Sequence, residues 1–204
     1  MPDFAGGAET SRSPKTPLRN RLLAQRKSLP PSTCRAAATA VHATLLSLVR
    51  RVRPSTIAAY VPIGREPGGP DLPSVLAATA QVLLPVLLPD GDLDWAAYEG
   101  PLVAGPRGLL QPPGRRLGVD AVRKATLVVV PALAVDRSGM RLGRGGGSYD
   151  RVLARLGADV LTVALLNDGE LLDAVPAEAH DRPVRAVITP TGGLRLSPST
   201  EWTN

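Results

Sequence analysis

Leu127-Val128-Val129-Val130-Pro131, followed by Ala132-Leu133-Ala134-Val135-Asp136 and then Arg137-Ser138-Gly139-Met140-Arg141-Leu142-Gly143-Arg144-Gly145-Gly146-Gly147-Ser148-Tyr149-Asp150-Arg151, is the stretch that decides the fold. Its first residues are continuously apolar instead of alternating, the pattern of a strand buried on both faces of a parallel sheet. An acidic loop, a glycine run and a helix start follow, so the stretch reads strand, loop, helix. Working outward, short apolar runs bounded by turn residues predict strands at Thr56–Val61, Gln81–Leu88, Leu93–Tyr98, Thr126–Val130, Val160–Leu165 and Val184–Thr189. Asp71–Thr79 and Ser148–Leu156 read as helices between them. The fold class is therefore α/β: a single domain with a mostly parallel central sheet flanked by helices, Rossmann-like, with right-handed crossovers. Pro101–Gly118, rich in Pro and Gly, reads as a long surface segment.

Two helices precede the strands. Thr16 reads as an N-cap with Pro17 at the first helical position, which leaves Lys15 just outside the helix. Arg19 and Arg26, seven apart, fall within about 20° of each other on such a helix. The second helix is announced by Pro30-Pro31-Ser32, runs to Arg53 before Pro54, and carries a buried stripe of Val41, Leu45, Leu48, Val49 and Val52. His42 has no acidic neighbour in sequence and suits helix packing, and Cys34 is expected to be inert.

Composition narrows the function classes. The 204 residues hold 24 Lys and Arg against 18 Asp and Glu, a net charge of +6. Residues 1–53 contain ten of the bases and two of the acids, so the first quarter carries +8 and the remainder −2. Apolar residues make up 44% of the chain, which excludes a disordered polymer. Aromatics make up 3%, too few for base-stacking platforms, so nucleic acid is disfavoured as a partner. One cysteine rules out internal disulfides and multi-cysteine zinc sites. Residues 1–14 read as a disordered leader without a signal-peptide core, 15–195 as the domain and 196–204 as a loose tail. No run is long enough to span a membrane. A cytoplasmic monomer is the expectation.

The glycine run carries the chemistry. Glycines let backbone N–H groups approach phosphate oxygens, and the helix that follows adds a favourable dipole for an anion. Arg141 and Arg144 can bridge phosphates, and Asp150 can hold a divalent metal riding on a nucleotide. A Walker loop would need a lysine that the stretch lacks, and a dinucleotide fingerprint begun at Gly143 would need glycine where Ser148 stands. A sugar-phosphate isomerase lacks a candidate base beside the loop.

Arg141–Arg151 closely resembles the signature of the 5-formyltetrahydrofolate cyclo-ligases. Lys15-Thr16-Pro17-Leu18-Arg19 with Arg26 resembles that family's Lys-x-x-x-Arg and later Arg. Ala59–Glu66 resembles its strand and folate-contacting Glu, and Val175–Asp181 its late Pro-x-Glu-x-His-Asp segment. The resemblance implies an enzyme using ATP and Mg²⁺ to cyclise 5-formyltetrahydrofolate to 5,10-methenyltetrahydrofolate, with release of ADP and phosphate after phosphorylation of the formyl oxygen. It places Lys15, Thr16, Pro17, Leu18, Arg19, Arg141, Leu142, Gly143, Arg144, Gly145, Gly146, Gly147, Ser148 and Tyr149 around ATP, and Asp150 and Asp181 on Mg²⁺. Folate would meet Arg19, Val61, Glu66, Arg144, Gly145, Gly146, Gly147 and Ser148, with Arg144 and Tyr149 catalytic. The sequence departs from the pattern at Ser148, where an aromatic is usual, at Val135, which replaces a Phe, and at Gln111, where Glu is frequent. Trp95 and Tyr98 are candidates for the pterin or benzoyl group, or for the core. The competing expectation is an inactive relative that binds RNA or another anion through the basic first quarter.

Overall fold

The computed structural model describes residues 13–198, so residues 1–12 of the expected leader and 199–204 of the expected tail lie outside the described residues. Helix α1 (Lys15–Ser28) and helix α2 (Pro31–Val52) lead into strand β1 (Thr56–Ala58), helix α3 (Leu72–Ala77), β2 (Gln81–Leu87) and β3 (Leu93–Ala97). A short hairpin, β4 (Val103–Ala104) with β5 (Leu110–Gln111), precedes β6 (Leu127–Pro131), β7 (Ala134–Asp136), β8 (Arg141–Leu142) and helix α4 (Ser148–Arg155). The chain closes with β9 (Leu161–Leu165), β10 (Leu171–Leu172), β11 (Ala186–Thr189) and β12 (Gly193–Leu196).

Seven strands form the main sheet in the order β12-β11-β9-β6-β1-β2-β3, parallel except for the antiparallel edges β3 and β12. Successive residues of one strand serve opposite faces, because side chains alternate across a sheet. Leu127 and Val129 pack with Val41, Leu45 and Leu48 of α2, whereas Val128 and Val130 pack with Val152 and Leu153 of α4. Both layers are therefore dry, and the uninterrupted apolar run of β6 follows from that. α1 lies apart from these layers: its Leu22 packs on Leu133, Ala134 and Leu142 around the small sheet β10-β7-β8. No helix among the described residues is long and apolar enough to cross a membrane.

Three expectations change. Lys15 is the first residue of α1 and Thr16 lies inside it, because Pro14 takes the cap position. Pro17 is tolerated there since the first-turn N–H groups have no intrahelical acceptor. Leu196 ends β12, and Ser197 is buried with its hydroxyl donating to Val184 O at 2.9 Å, so ordered structure continues past residue 195. Finally, β1 stops at Ala58 and Tyr60 and Val61 leave the sheet. Their departure opens the crevice described next.

Candidate active site

From β1 the chain moves to β2 and β3 on one side, and from β6 to β9, β11 and β12 on the other. Between strands whose connections diverge in this way, the carboxyl ends leave a crevice, the usual ligand position in open α/β sheets. A cavity of about 700 Å³ occupies it, lined by Tyr60 and Val61 after β1, Pro85 and Leu87 of β2, and Pro131–Leu133 at the end of β6. That volume suits small-molecule sites.

The glycine loop forms one wall. Gly145 (φ 101°) and Gly147 (φ 66°) adopt left-handed backbone that residues with a Cβ rarely take, so these two positions require glycine while Gly146 does not. Gly147 caps α4, whose first residue Ser148 donates its hydroxyl to Gly91 O at 2.5 Å. Ser148 thus fastens the loop to the β2–β3 turn at the position where the resembled family carries an aromatic. The same turn holds α4 further along: Arg155 Nη1 donates to Asp92 Oδ1 at 2.9 Å and its Nη2 to Oδ2, while Arg151 Nε lies 3.7 Å from Oδ1.

Those bonds have a pH signature. Arg155 holds the Asp92 carboxyl below the ordinary carboxylate value. The unfolded chain therefore takes up that proton first, near pH 4, and the contribution of the pair is full above this value and lost as pH falls through the lower folded one. Asp92→Asn is expected to cost about 1–2 kcal/mol near neutrality. In urea melts its deficit should shrink toward zero in strong acid; a deficit independent of pH would contradict the ion-pair account.

Cations and carboxylates alternate around the cavity. Lys15, 4% exposed, sits with Nζ 2.6 Å from Asp181 Oδ2 and 3.3 Å from Glu178 Oε1. Partial burial opposes ionisation of Asp181, but Lys15 and the Glu178 N–H outweigh it and hold the carboxyl below its ordinary value. Arg19 donates from Nε to Gly143 O at 2.9 Å. Arg141 Nη2 donates to Asp150 Oδ1 at 2.8 Å, and its buried Nε has no partner. Arg144 places both Nε and Nη2 3.0 Å from Glu66 Oε1, while Glu66 Oε2 accepts the Ile63 N–H at 3.0 Å. Tyr149 projects its hydroxyl into a buried position without a hydrogen-bond partner, and burial together with the nearby Glu66 charge raises its pKa. Its hydroxyl is therefore neutral at ordinary pH.

Most of the expected residues meet here. Lys15, Arg19, Val61, Glu66, Arg141, Leu142, Gly143, Arg144, Gly145, Gly146, Gly147, Ser148, Tyr149, Asp150 and Asp181 all line the cavity. Thr16, Pro17 and Leu18 do not, because neighbouring residues of a helix point about 100° apart and only positions 15 and 19 share the inward face. Arg26 is also outside the cavity. Seven residues add about 10 Å along α1. There Arg26 is buried in a two-pronged pair with Glu170, Nε to Oε1 and Nη2 to Oε2 both at 2.7 Å, with a further bond to Ala132 O at 2.6 Å. Burial of Lys15 and Arg26 removes two cations from the RNA-binding surface that the basic first quarter suggested. Trp95 is fully buried in the core beside Leu83, and Tyr98 packs against the opposite core layer; neither lines the cavity. His42 packs α2 by pairing Nε2 with Gly68 O at 2.6 Å.

Several lining residues gave no signal in sequence: Pro85, Leu87, Leu93, Arg107, Leu109 and Leu110; Ile63, Glu178 and His180 also line the cavity and lie in motifs that carried the resemblance, but no site role was expected of them. The segment 101–118, expected as surface, supplies four of the wall residues through its hairpin, namely Arg107, Leu109, Leu110 and Gln111. Two-residue strands are too short for a periodic pattern to reveal them.

Residues 11–190 match the profile of the 5-formyltetrahydrofolate cyclo-ligase family. The chain belongs to that family. It is 42% identical over 187 residues to the 5-formyltetrahydrofolate cyclo-ligase of Mycolicibacterium smegmatis, covering 88% of this chain and 95% of the relative. The NMR structure of Aquifex aeolicus 5,10-methenyltetrahydrofolate synthetase superposes with a TM-score of 0.78 at 26% identity, covering 93% of this chain and 96% of that one. A Mycoplasma pneumoniae 5,10-methenyltetrahydrofolate synthetase, at 19% identity and a TM-score of 0.70, shares the fold over 85% of this chain and 97% of its own. The α/β fold and family membership thus agree with the order of motifs along the chain.

Proposed function

We propose that this protein is a 5-formyltetrahydrofolate cyclo-ligase that couples ATP hydrolysis to formation of 5,10-methenyltetrahydrofolate. The observation that carries the reading is the convergence, in one cavity of a family member, of the glycine loop, Lys15, Arg19 and the Glu66–Arg144 pair. The formyl oxygen of the substrate is a poor leaving group. Transfer of the γ-phosphoryl group to it forms a P–O bond, breaks the bond to ADP, and leaves an imidate-type phosphate. N10 then attacks the formyl carbon, the C–O bond breaks with loss of inorganic phosphate, and the N10 proton is released as the methenyl bridge forms.

Phosphoryl transfer needs positioning and charge neutralisation more than a strong base. Lys15, Arg19 and the N–H groups of the glycine loop bind the phosphates in this reading. Arg144 spans the reacting centre, one side held by Glu66, so its guanidinium is already oriented when the transferring group arrives. Glu66 hydrogen-bonds the pterin edge beside Val61, and Tyr149 contributes to the cavity lining with its hydroxyl buried.

Mg²⁺ is held in most nucleotide sites by one or two carboxylates plus substrate phosphates. Among the described residues no group of three or more His, Cys, Asp or Glu is placed to cage a metal, but Asp150 and Asp181 both face the cavity, a hard-oxygen set that fits an ion arriving with ATP. Bound there, it would neutralise phosphate charge.

The reading is tested by mixing the purified protein with 5-formyltetrahydrofolate, ATP and Mg²⁺ and following the near-ultraviolet band of the methenyl product together with ADP. Product formation that requires ATP is expected. Absence of product, or product formation without ADP, would overturn it.

A further inference from the structure

The hairpin β4–β5 places a cation on the cavity wall that the reaction described above does not use. Its turn is Pro106-Arg107-Gly108-Leu109, with Arg107 at φ 57° and ψ 25° and Gly108 at φ 71°. Two successive left-handed residues make the mirror-image turn for which Asn-Gly or Gly-Gly is the ordinary choice. An arginine at the first of them is uncommon, and such strain persists where the surroundings hold it and concentrates at functional sites. Here the turn is held by the Gly105 N–H donating to Leu109 O at 2.7 Å and the Leu109 N–H donating to Pro106 O at 3.1 Å. Gln111 folds across Gly105, so close that a Cβ there would lie 2.5 Å from Gln111 Oε1.

Among the described cavity residues the other lysine and arginines are engaged: Lys15, Arg141 and Arg144 in ion pairs and Arg19 on Gly143 O. Arg107 is exposed and has no hydrogen-bond or ion-pair partner among the described residues. The wall beside it is apolar, made by Pro85 and Leu87 of β2, Leu93 of β3, and Leu109 and Leu110 of the hairpin. The cavity therefore has a side formed by the glycine loop and an apolar side whose cation is Arg107.

We propose that Arg107 is a specificity-determining residue that receives a carboxylate of the substrate's glutamate tail while the aminobenzoyl ring lies on the apolar wall. This rests on the folate reading above. The chemistry matches part by part: beyond its pterin the substrate carries an aryl ring and then a glutamate, and a free guanidinium fork pairs with a carboxylate through two parallel N–H bonds.

Arg107→Asn removes the guanidinium while supplying a residue that the left-handed turn position accepts readily, so its melting temperature should equal or exceed that of the parent. Steady-state kinetics would be measured with 5-formyltetrahydrofolate and with the corresponding 5-formyl pteroate analogue, which lacks the glutamate. The expected result is a rise of about tenfold in KM for the glutamate-bearing substrate, with KM for the analogue and for ATP unchanged within about twofold. Arg107→Gly, which also suits the turn, should reproduce it. Unchanged folate KM, or equal losses on both folates, would overturn the proposal. A rise confined to KM for ATP would also overturn it and assign Arg107 to the nucleotide. Absence of turnover in the parent protein would instead remove the folate reading itself, and this inference with it.

Discussion

Glu170→Ala will lower the unfolding free energy by about 3–5 kcal/mol, the range for removing one partner of a buried ion pair. Arg26 and Glu170 side chains are 4% and 7% exposed, so the guanidinium left behind cannot recover its hydration. Glu170 also accepts the Asn167 N–H at 2.7 Å and an Asn167 side-chain N–H at 3.2 Å, and these lose their acceptor in the same step. The double variant Arg26→Met with Glu170→Leu should recover part of the loss, because no unpaired charge remains in the interior. Urea melts of Glu170→Ala, of the single variants Arg26→Met and Glu170→Leu, and of the double variant measure this. If the double variant loses as much as the two single variants summed, the burial argument is wrong. Turnover per folded molecule should stay near that of the parent in all of them, since neither residue lines the cavity.

Arg144→Ala is expected to reduce turnover by about 10²–10³-fold, the usual effect of deleting a group that stabilises charge in a transition state. Its side chain is 47% exposed, so its own removal sacrifices little packing. Glu66, 6% exposed, keeps the Ile63 N–H, and the stability loss should be about 1–2 kcal/mol. Arg144→Lys separates the two effects. It retains a positive charge for Glu66 and should fold like the parent, yet it lacks the planar fork and should remain about tenfold or more below it in turnover. Activity that follows the folded fraction across both variants would make Arg144 a structural residue only.

The contrast between Arg26 and Arg144 shows how far the chain can be read without its fold. The apolar run of β6, the two prolines opening α2 and the glycine loop are local patterns whose physics acts within a few residues, and the structure places them where that physics requires. Arg19 was legible on the helix that Thr16-Pro17 announces, whereas Lys15 was singled out only by the Lys-x-x-x-Arg resemblance, since its place in the first turn of α1 was not expected. Arg26 carries the same helical phase as Arg19, but phase says nothing about which partner waits about two turns further on; Glu170 arrives from a segment 144 residues away. Trp95 was ambiguous on similar grounds, since its burial depends on β3 packing against the layer under α4.

Sequence alone determined the α/β class and the strand–loop–helix with its glycine run, because these follow from local composition and periodicity, while the φ values that require glycine at 145 and 147 but not at 146 are a feature of the folded loop. Tertiary structure decided which cations face the cavity and which are buried, that Ser148 anchors its loop through Gly91, and that the hairpin at 103–111 forms a wall carrying Arg107. Each of these depends on contacts between segments far apart in the chain, and their energies of desolvation and pairing arise only when the sheet has brought those segments together.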